Sequence, residues 1–368
     1  MSPIIAKSSR VRSTPFTSRI EKYGVQAYTV YNHMLLPASI KGVEEDYYHL
    51  KENVQLWDVS AERQVQIQGP DAYQLTQLIT CRDLSQAKDH VCYYAPIVDD
   101  GGRILNDPLV MKVKPDTWWI SIADTDVLLY AKGIAIGKGF DVKITEPNIN
   151  PLAVQGPKSF ELMRRVFGAD ILNLKFFHFK NFQFDNHNFI IARSGWSKQG
   201  GFEIYVDDDQ KGQDLYDALM KNGTDLNVRP GCPNLIERIE SGLLSYGNDM
   251  DINDNPLECG LDAFVSFNPE INYLGKSVLE KQHAQGVKKS LIGLIINLPQ
   301  ISVTKHLPIS LNDEQIGELR SACYSPHFQK CIGIAMIQKT KQKLHQPFTV
   351  NLDGQTVEVE ITKFPFIK

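Results

Sequence analysis

Two carboxylates in the 368-residue chain stand in patterns that suit ligand chemistry. Glu203 lies in "RSGWSKQGGFEIYV", residues 193–206, where glycines and a polar run lead into an alternating strand close to Trp196. Asp107 lies in "ILNDPLV", between two apolar runs where an unpaired acid would be costly to bury. Each has a plainer alternative. Glu203 also fits a surface glutamate on a glycine-bearing hairpin, and Asp107 fits an Asx turn that closes one.

Other chemistries leave no comparable trace. Cys81, Cys92, Cys232, Cys259, Cys323 and Cys331 form no CxxC pair and show no zinc spacing with histidine, so no metal is expected. They read as scattered reduced thiols of a cytoplasmic protein. The histidines, from His33 to His345, show no HExxH or other tight ligand spacing; only His178, after the Phe176-Phe177 pair, is a candidate to line a cleft. A formal charge of -4 excludes a nucleic-acid binder that relies on a basic field. The apolar run "LIGLIINL" at 291–298 is too short to cross a bilayer. The basic opening "MSPIIAKSSRVRSTPFTSR" resembles a transit peptide but lacks an extended apolar face, and reads as a retained N-terminal arm.

The acids need elements to hold them. The length suggests two or three domains. Helical spacing predicts a helix over 43–57, "VEEDYYHLKENVQLW". "RQVQIQGPDAYQLTQLIT" predicts a strand, a Gly-Pro turn capped by Asp71, and a helix. "YYAPIVDDGGRILNDPLVMKV" carries a hairpin signal in "DDGG", and "TWWISIA" is a strand that includes Ser121.

The order then repeats. "NPLAVQGPKSFELMRRVF" is again strand, turn and helix, and "NFIIARSGWSKQGGFEIYV" is again a hairpin. Two copies of one α+β unit would each offer a hairpin acid to a shared central cleft. "GCPNLIERIESGLLSYGND" predicts a helix ending near Gly247, and from about residue 288 short strands at close spacing predict an all-β domain, barrel or sandwich. The expected division is 1–145, 146–285 and 286–368.

The motifs "STPF", "LWDVS", "QGPDA", "GGRILNDP", "VQGP", "RSGWSKQGGFEIYV", "GLLSYGND", "NPLECGL", "LGK", "IGELRSACYSP" and "FPF" occur in an order that resembles the aminomethyltransferase (glycine-cleavage T-protein) superfamily. The resemblance covers nearly the whole chain. It implies an α+β, three-domain fold: two interleaved, ferredoxin-like α+β domains around a central folate cleft, and a C-terminal β-barrel. Within the superfamily, "EEDYYHLKENVQLWDVSAERQVQI", "LTQLITCRDLS", "ARSGWSKQGG" and "PGCPNLIERIES" resemble the dimethylsulfoniopropionate demethylase branch. Departures from the T-protein pattern point the same way. The histidine after "DVS" is replaced by Ala61-Glu62-Arg63, the paired aspartates stand as Asn106-Asp107, and Trp196 and Lys198 enter the second hairpin loop.

That resemblance implies methyl transfer from a sulfonium to N5 of tetrahydrofolate, with the folate as methyl-accepting cosubstrate. The leaving group is a neutral thioether, so no acid is needed to protonate it. Alignment of the reactants can supply on the order of 7–11 kcal/mol at the upper end. Glu203 would accept the adjacent N–H donors of the pterin side by side, with Gly195, Gly200 and Gly201 letting backbone approach the flat ring. Asp107 would act by positioning and electrostatic stabilisation, with no proton taken from carbon.

Trp196, Tyr94, Ser121 and Phe177 are the further candidates for the folate. A sulfonium offers no donors, so aromatic faces should hold it; Tyr31, Tyr205 and Trp196 are the candidates, although each aromatic alone is more often core packing. Lys198 is the candidate for the substrate carboxylate, with Arg193 or backbone N–H groups as alternatives. Arg320 lies in the C-terminal segment, with an open role. The likeness also implies a homodimer with small-molecule partners, neither nucleic acid nor membrane. Two other functions fit the pattern: an aminomethyltransferase working with a lipoyl carrier protein, and a non-catalytic folate-binding regulator.

Overall fold

Alternating residues on either side of the loop 193–200 form the expected hairpin. His187–Ala192 and Gly201–Val206 pair antiparallel, with Ala192 opposite Glu203. A computed structural model describes residues 5–342, 347–352 and 354–367; His345 lies outside them. The chain divides into two units, each assembled from separate segments. The first comprises residues 1–73, 87–93 and 108–234, and the second 74–86, 94–107 and 235–368.

In the first unit a six-stranded sheet runs in the order Phe179–Phe184, His187–Ala192, Gly201–Val206, Asn150–Gln155, Val54–Asp58 and Val228–Gly231. Phe202, Ile204 and Val206 project from one of its faces into a core with Leu56, Leu152, Phe189, Leu215 and Leu219. The helices Ser159–Phe167 and Asp209–Asn222 supply part of that core through Leu162, Met163, Leu215 and Tyr216. Each fully buried side chain of this size contributes about 1.5–3 kcal/mol. Asp208 caps the second helix by accepting a hydrogen bond from the Lys211 N–H at 2.9 Å. Another sheet of this unit includes Lys143–Thr145, Gln64–Gln68, Thr117–Ser121 and Leu109–Lys114, in that order.

The second unit contains the hairpin announced by "DDGG". Ile97–Val98 pairs with Ile104–Asn106, and the Asp99 carboxylate accepts from the Arg103 N–H at 2.8 Å across the turn. Gly102 takes φ +70° there. A closed six-stranded barrel follows, in the order Lys289–Ile296, Lys330–Gln338, Glu314–Ser325, Leu307–Leu311, Pro347–Leu352 and Gln355–Thr362. Its interior is filled by Leu294, Ile309, Leu319, Ile337, Val359 and their neighbours. Among the described residues no helix is long and apolar enough to cross a membrane.

Two elements differ from expectation. The helix from Val43 stops at Glu52, and Val54–Asp58 is a strand. That strand lies between two others and is buried on both faces, and Leu50, Val54 and Trp57 fall at helical spacing, so the sequence imitates helix continuation. The helix expected to end near Gly247 spans only Leu235–Ser241. Gly242, at φ +67°, ends it, and the chain folds back so that Asp249 accepts from Ser245 N–H at 2.8 Å and Arg238 Nη1 at 2.7 Å.

Candidate functional site

Glu203 occupies the middle of a central strand, opposite Ala153 on one side and Ala192 on the other. Because side chains alternate, it shares a face with Tyr205, away from the core face of Phe202, Ile204 and Val206. It is 6% exposed. The Ser194 hydroxyl donates to its Oε2. Burial pushes the Glu203 carboxyl above the ordinary carboxylate range, and the Ser194 bond opposes this. A carboxylate has room for about four hydrogen bonds. This buried acid, bonded to a neutral hydroxyl, is chemically prepared to accept further N–H donors.

The glycines of the hairpin serve this placement differently from expectation. A side chain at Gly195 would overlap the Gln155 amide, one at Gly200 would lie 2.9 Å from the Phe160 ring, and one at Gly201 would overlap the Val154 carbonyl oxygen. All three have φ between +80° and +159°. Their close approach is to the protein's own sheet and helix, and it seats the strand that carries Glu203.

Tyr205, two residues on, joins an apolar group with Cys92, Met111, Phe177, Trp119 and Ile190. Its ring lies 6.0 Å from that of Trp119, tilted by 48°. Burial, with the nearby Glu203 charge next in importance, keeps the phenol protonated, and the Ser121 hydroxyl hydrogen-bonds to it. Ser121 also accepts from Gln64 Nε2 at 2.9 Å. Phe177 adopts φ +58°, a backbone conformation that is strained for a large side chain. Its N–H donates to Arg193 O at 2.9 Å, and its carbonyl accepts from Cys92 N–H at 2.8 Å. Glu203, Tyr205, Ser121 and Phe177 are therefore gathered within the first unit.

The other candidates of this unit lie in the hairpin loop, beside Phe177 or in a separate sheet. Trp196 is half-buried and Lys198 exposed, both in the hairpin loop. Tyr31 ends the strand Ala27–Tyr31 in a separate two-stranded sheet. Arg193 is engaged structurally: its Nη1 donates to Leu174 O at 3.1 Å, and its guanidinium lies 5.0 Å from the Phe160 ring centroid. His178 bonds through Nδ1 to Phe176 O at 3.0 Å. Arg63, in the segment that replaces the family histidine, is a buried clamp whose Nη1 donates to Ile149 O at 2.6 Å and Nη2 to Pro147 O at 3.1 Å.

In the second unit, Asp107 follows the strand Ile104–Asn106 and accepts a hydrogen bond from the Tyr94 hydroxyl at 3.0 Å. Burial pushes the Asp107 carboxyl up to about 7, opposed by the Tyr94 bond. Tyr94 is itself held edge-on against Phe264, with ring centroids 4.8 Å apart. Arg320 is 6% exposed and lies among carboxylates: Nη1 is 3.5 Å from Asp251 and 3.4 Å from Asp254, and Nη2 is 3.3 Å from Glu318.

All six thiols are buried, and burial raises each above the ordinary thiol range. None is poised as a nucleophile. Among the described residues, no group of three His, Cys, Asp or Glu side chains is placed to hold a metal. Sequence reasoning missed Ser194, Gln64, Gln66 and Trp119. The one available signal was the polar alternation "QVQIQ" opposite an aromatic strand.

The family described as GCVT N-terminal domain matches residues 16–269, and the glycine cleavage T-protein C-terminal barrel domain matches residues 289–368. The chain is 48% identical over 336 residues to a dimethylsulfoniopropionate demethylase DmdA of Ruegeria pomeroyi, covering 91% of this chain and 92% of that protein. It is 29% identical over 351 residues to an aminomethyltransferase of Clostridium botulinum, covering 93% of each. The crystal structure of the glycine cleavage system aminomethyltransferase T from Bartonella henselae superposes with a TM-score of 0.86 over 97% of this chain and 98% of that one, at 20% identity, which establishes the shared fold. With matches along most of its length and a relative at this level of identity, the chain belongs to the glycine cleavage T-protein family.

Proposed function

We propose that the protein is a tetrahydrofolate-dependent demethylase that moves a methyl group from the sulfonium of dimethylsulfoniopropionate to N5 of tetrahydrofolate. The observation that carries this reading is the 48% identity, over 91% of the chain, to a demethylase of that name. The aminomethyltransferases, at 29% over 93%, support the second reading of an aminomethyl transfer from a lipoyl carrier protein. Trp196 and Lys198 in the hairpin loop, and Arg63 as a structural clamp, favour the first.

In the proposed reaction the S–CH3 bond breaks with its electron pair remaining on sulfur, which leaves as a neutral thioether. The N5 lone pair forms the new N–CH3 bond, and the N5 proton then passes to solvent. The protein's task is to hold and orient. Glu203 accepts the pterin N–H groups, each charge-assisted bond being worth about 1.5–3 kcal/mol. Asp107, steadied by Tyr94, offsets the positive charge that develops on the attacking nitrogen.

Trp196, Tyr94, Ser121 and Phe177 hold the folate, Tyr205, Tyr31 and Trp196 face the sulfonium, and Lys198 pairs with the substrate carboxylate. We further propose a cytoplasmic homodimer organised as 1–145, 146–285 and 286–368. Mass analysis of the folate product tests the reaction. Substrate deuterated in both S-methyl groups should give 5-methyltetrahydrofolate that retains all three deuterons of one methyl, and an unlabelled or absent product would refute the transfer.

A further inference from the structure

The strand Gln64–Gln68, "QVQIQ", turns Val65 and Ile67 into the core, each 0% exposed. Its other face carries glutamines, and Gln64 is also 0% exposed. Burying an amide is costly unless it is bonded, so the bonds show what these glutamines hold. Across the antiparallel pair, Gln64 stands opposite Ser121 and Gln66 opposite Trp119. Trp119 Nε1 donates to Gln66 Oε1 at 2.9 Å. Gln64 Nε2 donates to Ser121 Oγ at 2.9 Å and to Glu62 O at 3.0 Å, and Ser121 in turn bonds the Tyr205 phenol.

The two amides thus end on the two rings that meet at 6.0 Å and 48°. Tyr205 is buried, and Trp119 remains partly exposed beside it. Gln64 Oε1 is buried without a hydrogen-bond partner among the described residues. Leaving an acceptor unsatisfied costs about 1–3 kcal/mol. An apolar residue would avoid that cost, which argues that the amide is kept for the position it imposes.

We propose that Trp119 is a wall of the methyl-donor site, and that Gln66 is the positioning residue that fixes its indole, as Gln64 fixes Tyr205 through Ser121. This rests on the demethylase reading. A sulfonium has no hydrogen-bond donors and is held by ring faces, of which indole attracts cations most strongly. An indole free to rotate about its side-chain bonds would lose that face. Gln66 removes the freedom by accepting its only N–H.

The test uses the full chain with tetrahydrofolate and dimethylsulfoniopropionate. Gln66→Leu should raise the sulfonium KM by about 3–30-fold, the range of a cation–π contact, with the folate KM within about twofold of wild type. Gln66→Glu keeps the acceptor and should restore most of the loss. Trp119→Phe keeps a ring but removes the N–H and should raise the same KM, after which adding Gln66→Leu should cost nothing more. Should Gln66→Leu fail to fold, Trp119→Phe decides alone. Equal shifts in both KM values, additive losses, or wild-type sulfonium KM in both variants would overturn the proposal while leaving the demethylase reading intact. A wild-type protein that makes no 5-methyltetrahydrofolate from the sulfonium brings down both.

Discussion

Tyr94 donates its phenolic hydrogen to Oδ2 of Asp107 across 3.0 Å, and this bond favours the ionised carboxylate against the burial that disfavours it. The balance leaves Asp107 titrating near neutrality, at about 7. The carboxylate is the form that offsets positive charge on nitrogen, so turnover should rise with pH through that value and level off above it. Tyr94→Phe removes the lowering contribution and should move the midpoint upward. A pH–rate profile for the two proteins reads this directly, and superimposable midpoints would separate Asp107 from the rate.

The same carboxyl has a stability consequence. Its folded value of about 7 lies above the ordinary 3.8 expected of the unfolded chain. Between those values the folded protein retains a proton that the unfolded chain has lost, so stability falls as pH rises through the window. Asp107→Asn should therefore raise Tm by about 2–4 °C at pH 8, leave it nearly unchanged near pH 4, and reduce turnover severely. Thermal melts at the two pH values check the sign; a variant less stable than wild type at pH 8 would contradict it.

Glu203 supplies the folate prediction. Glu203→Ala removes the charge-assisted bonds to the pterin, and loss of a single one, about 1.5–3 kcal/mol, should already lower folate affinity about 10–100-fold. Because burial raises the Glu203 carboxyl, folate binding should also weaken as pH falls through its titration. Ser194→Ala, which removes the opposing hydrogen bond, should move that loss to higher pH. Titration of the protein with folate at several pH values measures both effects, and unaltered affinity in Glu203→Ala would end the pterin assignment.

Trp196 addresses the methyl donor. Trp196→Ala should raise the sulfonium KM by about 3–30-fold through loss of a cation–π contact, and should raise the folate KM much less. Steady-state kinetics with each substrate varied in turn separates the two. Equal effects would place Trp196 outside the sulfonium site.

The legible parts of the molecule are those in which neighbours in sequence are neighbours in space. The Glu203 hairpin could be read because alternation and glycines lie within one stretch of chain, and the barrel because its strands follow one another at short spacing. Val54–Asp58 was hidden because a strand buried on both faces loses its alternation. Trp119 and Gln66 are 53 residues apart, and "TWWIS" read alone is an ordinary strand. The pairing of the two strands gives the indole a fixed acceptor. The hairpin glycines were read as room for a ligand, whereas they make room for Gln155, Phe160 and Val154.

The central claim is that this chain aligns a reduced pterin nitrogen with a sulfonium methyl and relies on the intrinsic reactivity of both. Purified protein should be given tetrahydrofolate with either dimethylsulfoniopropionate or an aminomethylated lipoyl carrier protein, and the folate products quantified side by side. The account predicts 5-methyltetrahydrofolate and methylthiopropionate in equal amounts from the first mixture and no turnover in the second. Methylenetetrahydrofolate from the second mixture, with none of the methylated product from the first, would contradict it.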